Sequence, residues 1–146
     1  MPSIVSSSPR NILMKFLIIQ ENGRHDVSKH LRECNSMQRA LQHHDQDCCV
    51  WGLGHDNFKD IPDYESYDVI INLENYDTGW MPTLSHIKKP LKFLWAIDSH
   101  VRGQNYYRNV FEDGEYDYIL QATKDYCDGN SLWFPNCYDD DYITPN

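Results

Sequence analysis

The chain has 146 residues, 24% charged and 40% hydrophobic, with 13 basic against 22 acidic side chains and a net charge of −9 at pH 7. These values fit one folded domain that buries roughly two-thirds of its unfolded surface. No apolar run approaches the roughly 20 residues of a membrane-spanning helix, so disorder and a membrane span are excluded. The acidic balance argues against a nucleic-acid partner, because neutralising a phosphate backbone takes a clustered excess of Lys and Arg.

Residues 1–13 read as a flexible leader. Met1 to Asn11 is rich in Ser and Pro with only Arg10 charged, and the apolar stretch after it is too short for a signal peptide and lacks a small-residue cleavage pattern. Lys15 to Gln20 is an almost continuously apolar run ending in the turn-prone Glu21-Asn22-Gly23, as expected of a strand buried on both faces. Ser28 to His43 places Leu31, Cys34, Met37 or Gln38, and Leu41 at helical spacing, with Ser28 as N-cap and Arg32, Glu33 and Arg39 turned outward. Cys48 to Trp51, closed by Gly52-Leu53-Gly54, and the β-branched run Tyr67 to Leu73 are the second and third strands.

The alternation continues in the second half. A helix is predicted over Trp80 to Ile87, beginning near Pro82 and stopped by Lys88-Lys89-Pro90, followed by a strand over Leu91 to Ile97. Gln104 to Phe111 is a helix with Tyr107 and Phe111 on one face, ended by Gly114. Tyr116 to Gln121 is the fifth strand, Thr123 to Cys127 a capped helical segment, and Ser131 to Phe134 a sixth short run. Strands separated by helical patterns with short connections predict an α/β, Rossmann-like parallel sheet with helices on both faces.

In such sheets ligands bind beyond the carboxyl ends of the strands. Strand one delivers Glu21, Asn22, Gly23, Arg24 and His25 there. Strand three delivers Glu74, Asn75, Tyr76 and Asp77, strand four Asp98, Ser99 and His100, strand five Gln121 to Thr123, and the last run Pro135 and Asn136. Asp98 and His100 form the sharpest pair, since alternate residues leaving a strand point the same way and a carboxylate can orient an imidazole or take its proton. The alternative is that Asp98 caps the following turn and His100 is solvated. Glu21 and Glu74 are either substrate contacts or local structural acceptors. Among the tryptophans, Trp80 is the candidate for stacking on a sugar ring, while Trp95 and Trp133 lie inside strands and read as core.

Other site types are missing from the sequence. There is no Gly-x-Gly-x-x-Gly after the first strand and no Gly-x-x-x-x-Gly-Lys-Ser/Thr, which disfavours a self-contained NAD or ATP site. A phosphorylatable Asp does not close strand three, and no Gly-x-Ser-x-Gly elbow is present, which disfavours a receiver domain and a stand-alone hydrolase. The five cysteines, Cys34, Cys48, Cys49, Cys127 and Cys137, are odd in number and contain no C-x-x-C, so neither a disulfide framework nor a zinc knuckle is indicated. They fit a reducing, cytoplasmic compartment. His43-His44 with Asp45 and Asp47 reads as a solvated helix end, and no metal is expected.

The segment from Ser131 through Phe134-Pro135-Asn136-Cys137-Tyr138-Asp139, with Tyr142-Ile143-Thr144-Pro145, resembles the hinge of two-lobed (GT-B) glycosyltransferases, with Cys137 in place of the usual Gly. Trp95 to His100 is similar to the segment closing the fourth strand in those enzymes, and Gln121 to Lys124 to the one opening the helix before the hinge. Glu21 to His25 and Leu73 to Tyr76 resemble the spore-maturation-type branch. The resemblance implies that 14–136 is an N-terminal, acceptor-side lobe and that 137–146 leads towards a second lobe that holds the nucleotide-sugar donor. Gly23 and its neighbours would then line the loop near the donor phosphates, His100 would sit by the transferred sugar, and Thr123 would begin a helix facing the cleft. The expected catalytic residues are His100, Asp98 and Glu74. The expected binding residues are Glu21, Asn22, Gly23, Arg24, His25, Asn75, Tyr76, Trp80, Thr123 and Asn136. No cofactor is implied beyond the nucleotide-sugar substrate. The expected partners are an acceptor sugar and either a second lobe or another copy of the chain. A domain that kept this fold as a non-enzymatic binding module is the alternative.

Overall fold

Lys15-Phe16-Leu17-Ile18-Ile19 has too little polar surface to leave either face in water, and it forms strand β1 (Lys15–Ile19) with Leu17, Ile18 and Ile19 fully buried. All five residues of β3 (Val69–Leu73) are buried as well. These two strands lie side by side in a six-stranded, wholly parallel sheet completed by β2 (Asp47–Trp51), β4 (Leu91–Ala96), β5 (Tyr118–Gln121) and β6 (Ser131–Trp133). The computed structural model describes residues 12–23, 26–73 and 79–136. Strand order is β2-β1-β3-β4-β5-β6, with Leu17 opposite Ile70 and Asn72 opposite Leu94.

Helices α1 (Glu33–His43), α2 (Ser99–Arg102) and α3 (Gln104–Asp113) complete the Rossmann-like α/β fold expected from the sequence. The two-residue period of the strands divides the core between the sheet's faces. On one face Ile18, Val50, Ile71 and Trp95 meet Cys34, Met37 and Leu41 of α1. On the other, Leu17, Ile70, Leu94 and Ile119 meet Tyr107, Val110 and Phe111 of α3. Each fully buried Leu or Ile contributes about 1.5–3 kcal/mol relative to exposure, so this double-sided burial is the main stabilising term.

Side chains at the amino ends of the strands serve structure. The carboxylate of Asp68 accepts the Lys15 N–H and that of Asp117 accepts the Lys92 N–H, both at 2.8 Å, while Gln46 Oε1 accepts the Met14 N–H at 2.8 Å. Each bond satisfies a donor at a strand start that the parallel ladder leaves open.

Five expectations need correction. Helix α1 starts at Glu33, after a 3-10 segment Asp26–Leu31, and Ser28 is not its cap. Its N-terminal donor on Cys34 is instead satisfied at 3.0 Å by Oε1 of Gln20, at the end of β1, so the cap comes from a distant part of the chain. No helix forms over 80–87. The stretch from Pro82 to Ile87 is too short to repay helix nucleation by itself, and Leu84 and Ile87 are buried from turns and extended chain. The fifth strand begins at Tyr118, two residues later than expected, because Gly114, Glu115 and Tyr116 are spent on leaving α3. After β5 there is only a 3-10 turn, Lys124–Tyr126, in place of an α-helix. Trp133 is 55% exposed on the edge strand β6, whereas Trp95 is in the core as expected.

Candidate functional site

Because all six strands run the same way, the residues that follow them gather on one rim. Gln20 to Gly23 leave β1, Gly52 to His55 leave β2, Ile97 to His100 leave β4, Ala122 and Thr123 leave β5, and Phe134 to Asn136 leave β6. Strand β2 lies on one side of β1 and β3 on the other, so the chain reverses its direction of winding there, and that switch point is where open parallel sheets receive ligands. Glu21, Asn22, Gly23, Asp98, His100, Thr123 and Asn136 thus share the rim. Arg24, His25, Glu74, Asn75 and Tyr76 lie outside the described residues.

Tight backbone contacts build the rim around β1. The Asn22 N–H donates to the Leu53 carbonyl at 2.7 Å, its Nδ2 reaches the Gly54 carbonyl at 3.4 Å, and its Oδ1 accepts the Gly23 N–H at 2.9 Å. Gly54 holds φ +84°, a left-handed conformation suited to glycine, and a Cβ there would lie 3.3 Å from that of Asn22. A Cβ on Gly52 would fall 2.3 Å from the Gln20 carbonyl oxygen, so only glycine lets the loops after β1 and β2 close together. Glu21 is buried at 5% exposure, and an Arg32 Nη2 donates to its carbonyl at 3.4 Å.

Asp98 and His100 stand on the opposite side of the switch point, at the start of α2. The Asp98 carbonyl accepts the N–H groups of Val101 and Arg102 at 2.9 and 3.1 Å, so its backbone caps the helix while its side chain makes no capping bond. His100 is exposed and Ser99 beneath it is fully buried. Gly103, at φ +86°, lets the chain turn from α2 into α3. Farther along the rim, the Thr123 N–H donates to Gln121 Oε1 at 3.2 Å, and Asn136 is exposed. Trp80 is half-buried, its ring packed edge-on against Trp51 and Phe58 with centroids 5.8 Å from each.

One group at the rim escapes the survey of strand endings, which passes over the end of strand two. His55 follows Gly52-Leu53-Gly54 and donates from Nε2 to the Gln20 carbonyl at 2.9 Å. Burial pushes its pKa below the ordinary value, a change opposed by that same hydrogen bond. The Cys34 sulfur lies 4.0 Å from the same ring nitrogen, and burial pushes its thiol up to about 12. A neutral thiol beside an imidazole already engaged with a carbonyl is no activated nucleophile. The rule that strand ends carry chemistry, applied to β2, would have found His55. Among the described residues, no three His, Cys, Asp or Glu side chains gather closely enough to hold a metal ion, and no helix is long and apolar enough to cross a membrane. No family model matches the chain, and neither a curated protein nor a solved structure matches it.

Proposed function

We propose that this domain is the acceptor-side lobe of a glycosyltransferase, with the carboxyl rim of its parallel sheet forming one wall of a sugar-binding cleft. The observation that carries the reading is the set of polar residues gathered on the carboxyl rim: Glu21 and Asn22 after β1, and Asp98 and His100 after β4. Carboxylates, carboxamides and imidazoles are the groups that fix sugar hydroxyls, since each offers an oriented donor or acceptor. The strand-end resemblance to two-lobed glycosyltransferases supports the same assignment. In this reading His100 and Asp98 orient the acceptor hydroxyl, with His100 taking its proton, while the loop at Glu21 to Gly23 contacts the sugar ring. The charge that develops on a departing nucleotide diphosphate would be stabilised by a second lobe, a contribution worth several kcal/mol that these rim residues do not supply.

Saturation-transfer-difference NMR of the chain against a panel of mono- and disaccharides and nucleotide diphosphates tests this. Saccharide signals are expected, and His100→Ala, an exposed change that leaves the fold intact, should weaken them by about fivefold, the loss of one or two hydrogen bonds. Binding of a nucleotide with no saccharide, or full saccharide binding by His100→Ala, rejects the assignment.

A further inference from the structure

Three of the four tryptophans are held inside the molecule. Trp51 and Trp95 are buried, and Trp80, the ring expected to stack on a sugar, packs edge-on against Trp51 and Phe58 with its indole N–H buried. Trp133 differs, for more than half of its surface is exposed although an indole is ordinarily mostly buried. It ends β6 beside Gln121, the last residue of β5, and so stands at the carboxyl rim, with Thr123 and Asn136 on the segments that leave these two strands.

A cation lies over this ring. Lys124 Nζ, from the turn after β5, is 5.3 Å from the Trp133 ring centroid. Lys124 is exposed, and the ion pairs among the described residues engage Lys29, Arg32, Lys88 and Arg108 instead. An ammonium that rests on a ring face, with no carboxylate beside it, keeps its charge for an incoming anion. The exposed indole surface suits the C–H face of a pyranose, and the Thr123 hydroxyl and Asn136 carboxamide supply partners for sugar hydroxyls at the same end of the rim. A single lysine in a chain of net charge −9 favours one negative charge on the ligand, a carboxylate over a phosphate dianion. We propose that Trp133 and Lys124 form a subsite that selects an acidic sugar, the C–H face of the pyranose resting on the indole and its carboxylate paired with Lys124 Nζ. The assignment rests on the sugar-binding reading of the rim and adds the class of sugar. Strand β6 lies two places from β4, about 10 Å at the usual strand spacing, so the acidic unit and the hydroxyl at His100 belong to different rings of one acceptor.

The test titrates the isotope-labelled chain with methyl β-glucuronide and methyl β-glucoside, which carry a carboxylate and a hydroxymethyl group at the same ring carbon, and follows the Trp133 indole N–H and the amides of Asn22, Ser99 and Lys124. Saturable shifts at Trp133 and Lys124 are expected, with the glucuronide bound about fivefold tighter, the worth of one exposed ion pair. Lys124→Gln should bring the two affinities within about twofold while Lys124→Arg keeps the preference, and Trp133→Ala, an exposed change, should weaken both by about tenfold. Equal affinities in the natural chain, a preference that survives Lys124→Gln, or acetate or uridine monophosphate bound at Trp133 as tightly as the glucuronide overturns the subsite. Saccharide shifts confined to Asn22 and Ser99 overturn it while leaving the sugar-binding rim in place, whereas no saccharide shift at any of these groups overturns both.

Discussion

His55 sits half-buried between the loops after β1 and β2 with its Nε2–H committed to the Gln20 carbonyl, so protonating it would place a cation where little water reaches. Burial therefore lowers its pKa in the folded chain below the 6.5 of a free imidazole. The unfolded chain takes up a proton as pH falls through that value and the folded one does not, so this contribution to stability is complete above pH 6.5 and is lost progressively below it. Urea midpoints measured from pH 7.5 down to pH 5 should fall more steeply for the natural chain than for His55→Gln. Parallel pH profiles would show that the imidazole is solvated and the assigned geometry wrong. The residue types at this rim were readable from the sequence, yet their burial was not. Glu21 stood out because it follows an apolar run, while nothing local to Gln20 shows that its carboxamide serves both Glu33 and the N–H of Cys34. Those bonds join positions more than ten residues apart and exist only once β1 and α1 are packed.

Elements whose signal is local apolarity came out close to their expected bounds, as β1 and β4 did, because burial leaves a continuous hydrophobic run, while β3 begins at Val69, two residues after the expected Tyr67. The crossover from β3 to β4 was misread for a physical reason. Leu84 and Ile87 have helical spacing, but tertiary contacts hold their segment in turns and extended chain instead. Glu65 accepts the N–H groups of Lys88 and Lys89 at 3.0 Å each, and Lys92 Nζ holds the Leu84 carbonyl. Lys92 is 3% exposed, and burial lowers its pKa. Its ammonium joins the crossover to the end of α3, where the Gly114 carbonyl accepts its second bond. Lys92→Met keeps the apolar stem and leaves both carbonyls short of a donor, so a loss of about 1–3 kcal/mol is expected in urea unfolding. Unchanged stability would mean that relieving the desolvated ammonium offsets the two lost bonds, and the crossover would then owe its course to Leu84, Ile87 and the Glu65 bonds.

At the scale of the whole molecule the parallel sheet was legible because strand and helix patterns alternate, whereas the exposure of β6 was not, since a strand's place in the sheet depends on pairing rather than on its composition. Ser131-Leu132-Trp133 reads as apolar, but its strand has one neighbour, and Leu132 and Trp133 are 46% and 55% exposed. The central strands are flanked on both edges and buried on both faces, so their amides open only when the sheet does, while β6 can detach by breaking its ladder with β5 and the Trp95–Phe134 ring contact. Native-state hydrogen exchange should accordingly find Leu17, Ile18, Ile70 and Leu94 exchanging with the free energy of global unfolding and Leu132 and Trp133 with a smaller one. Equal protection across all six strands would make β6 part of the cooperative centre. The gradient bears on the rim as well. The side built on β1 and β2 is locked by the Asn22–Leu53 and His55–Gln20 bonds, while the side following β5 and β6 rests on the sheet's least protected edge. A ligand held between Glu21 and His100 would thus rest on central strands that do not open locally, leaving adjustment to partner or substrate at Thr123 and Asn136.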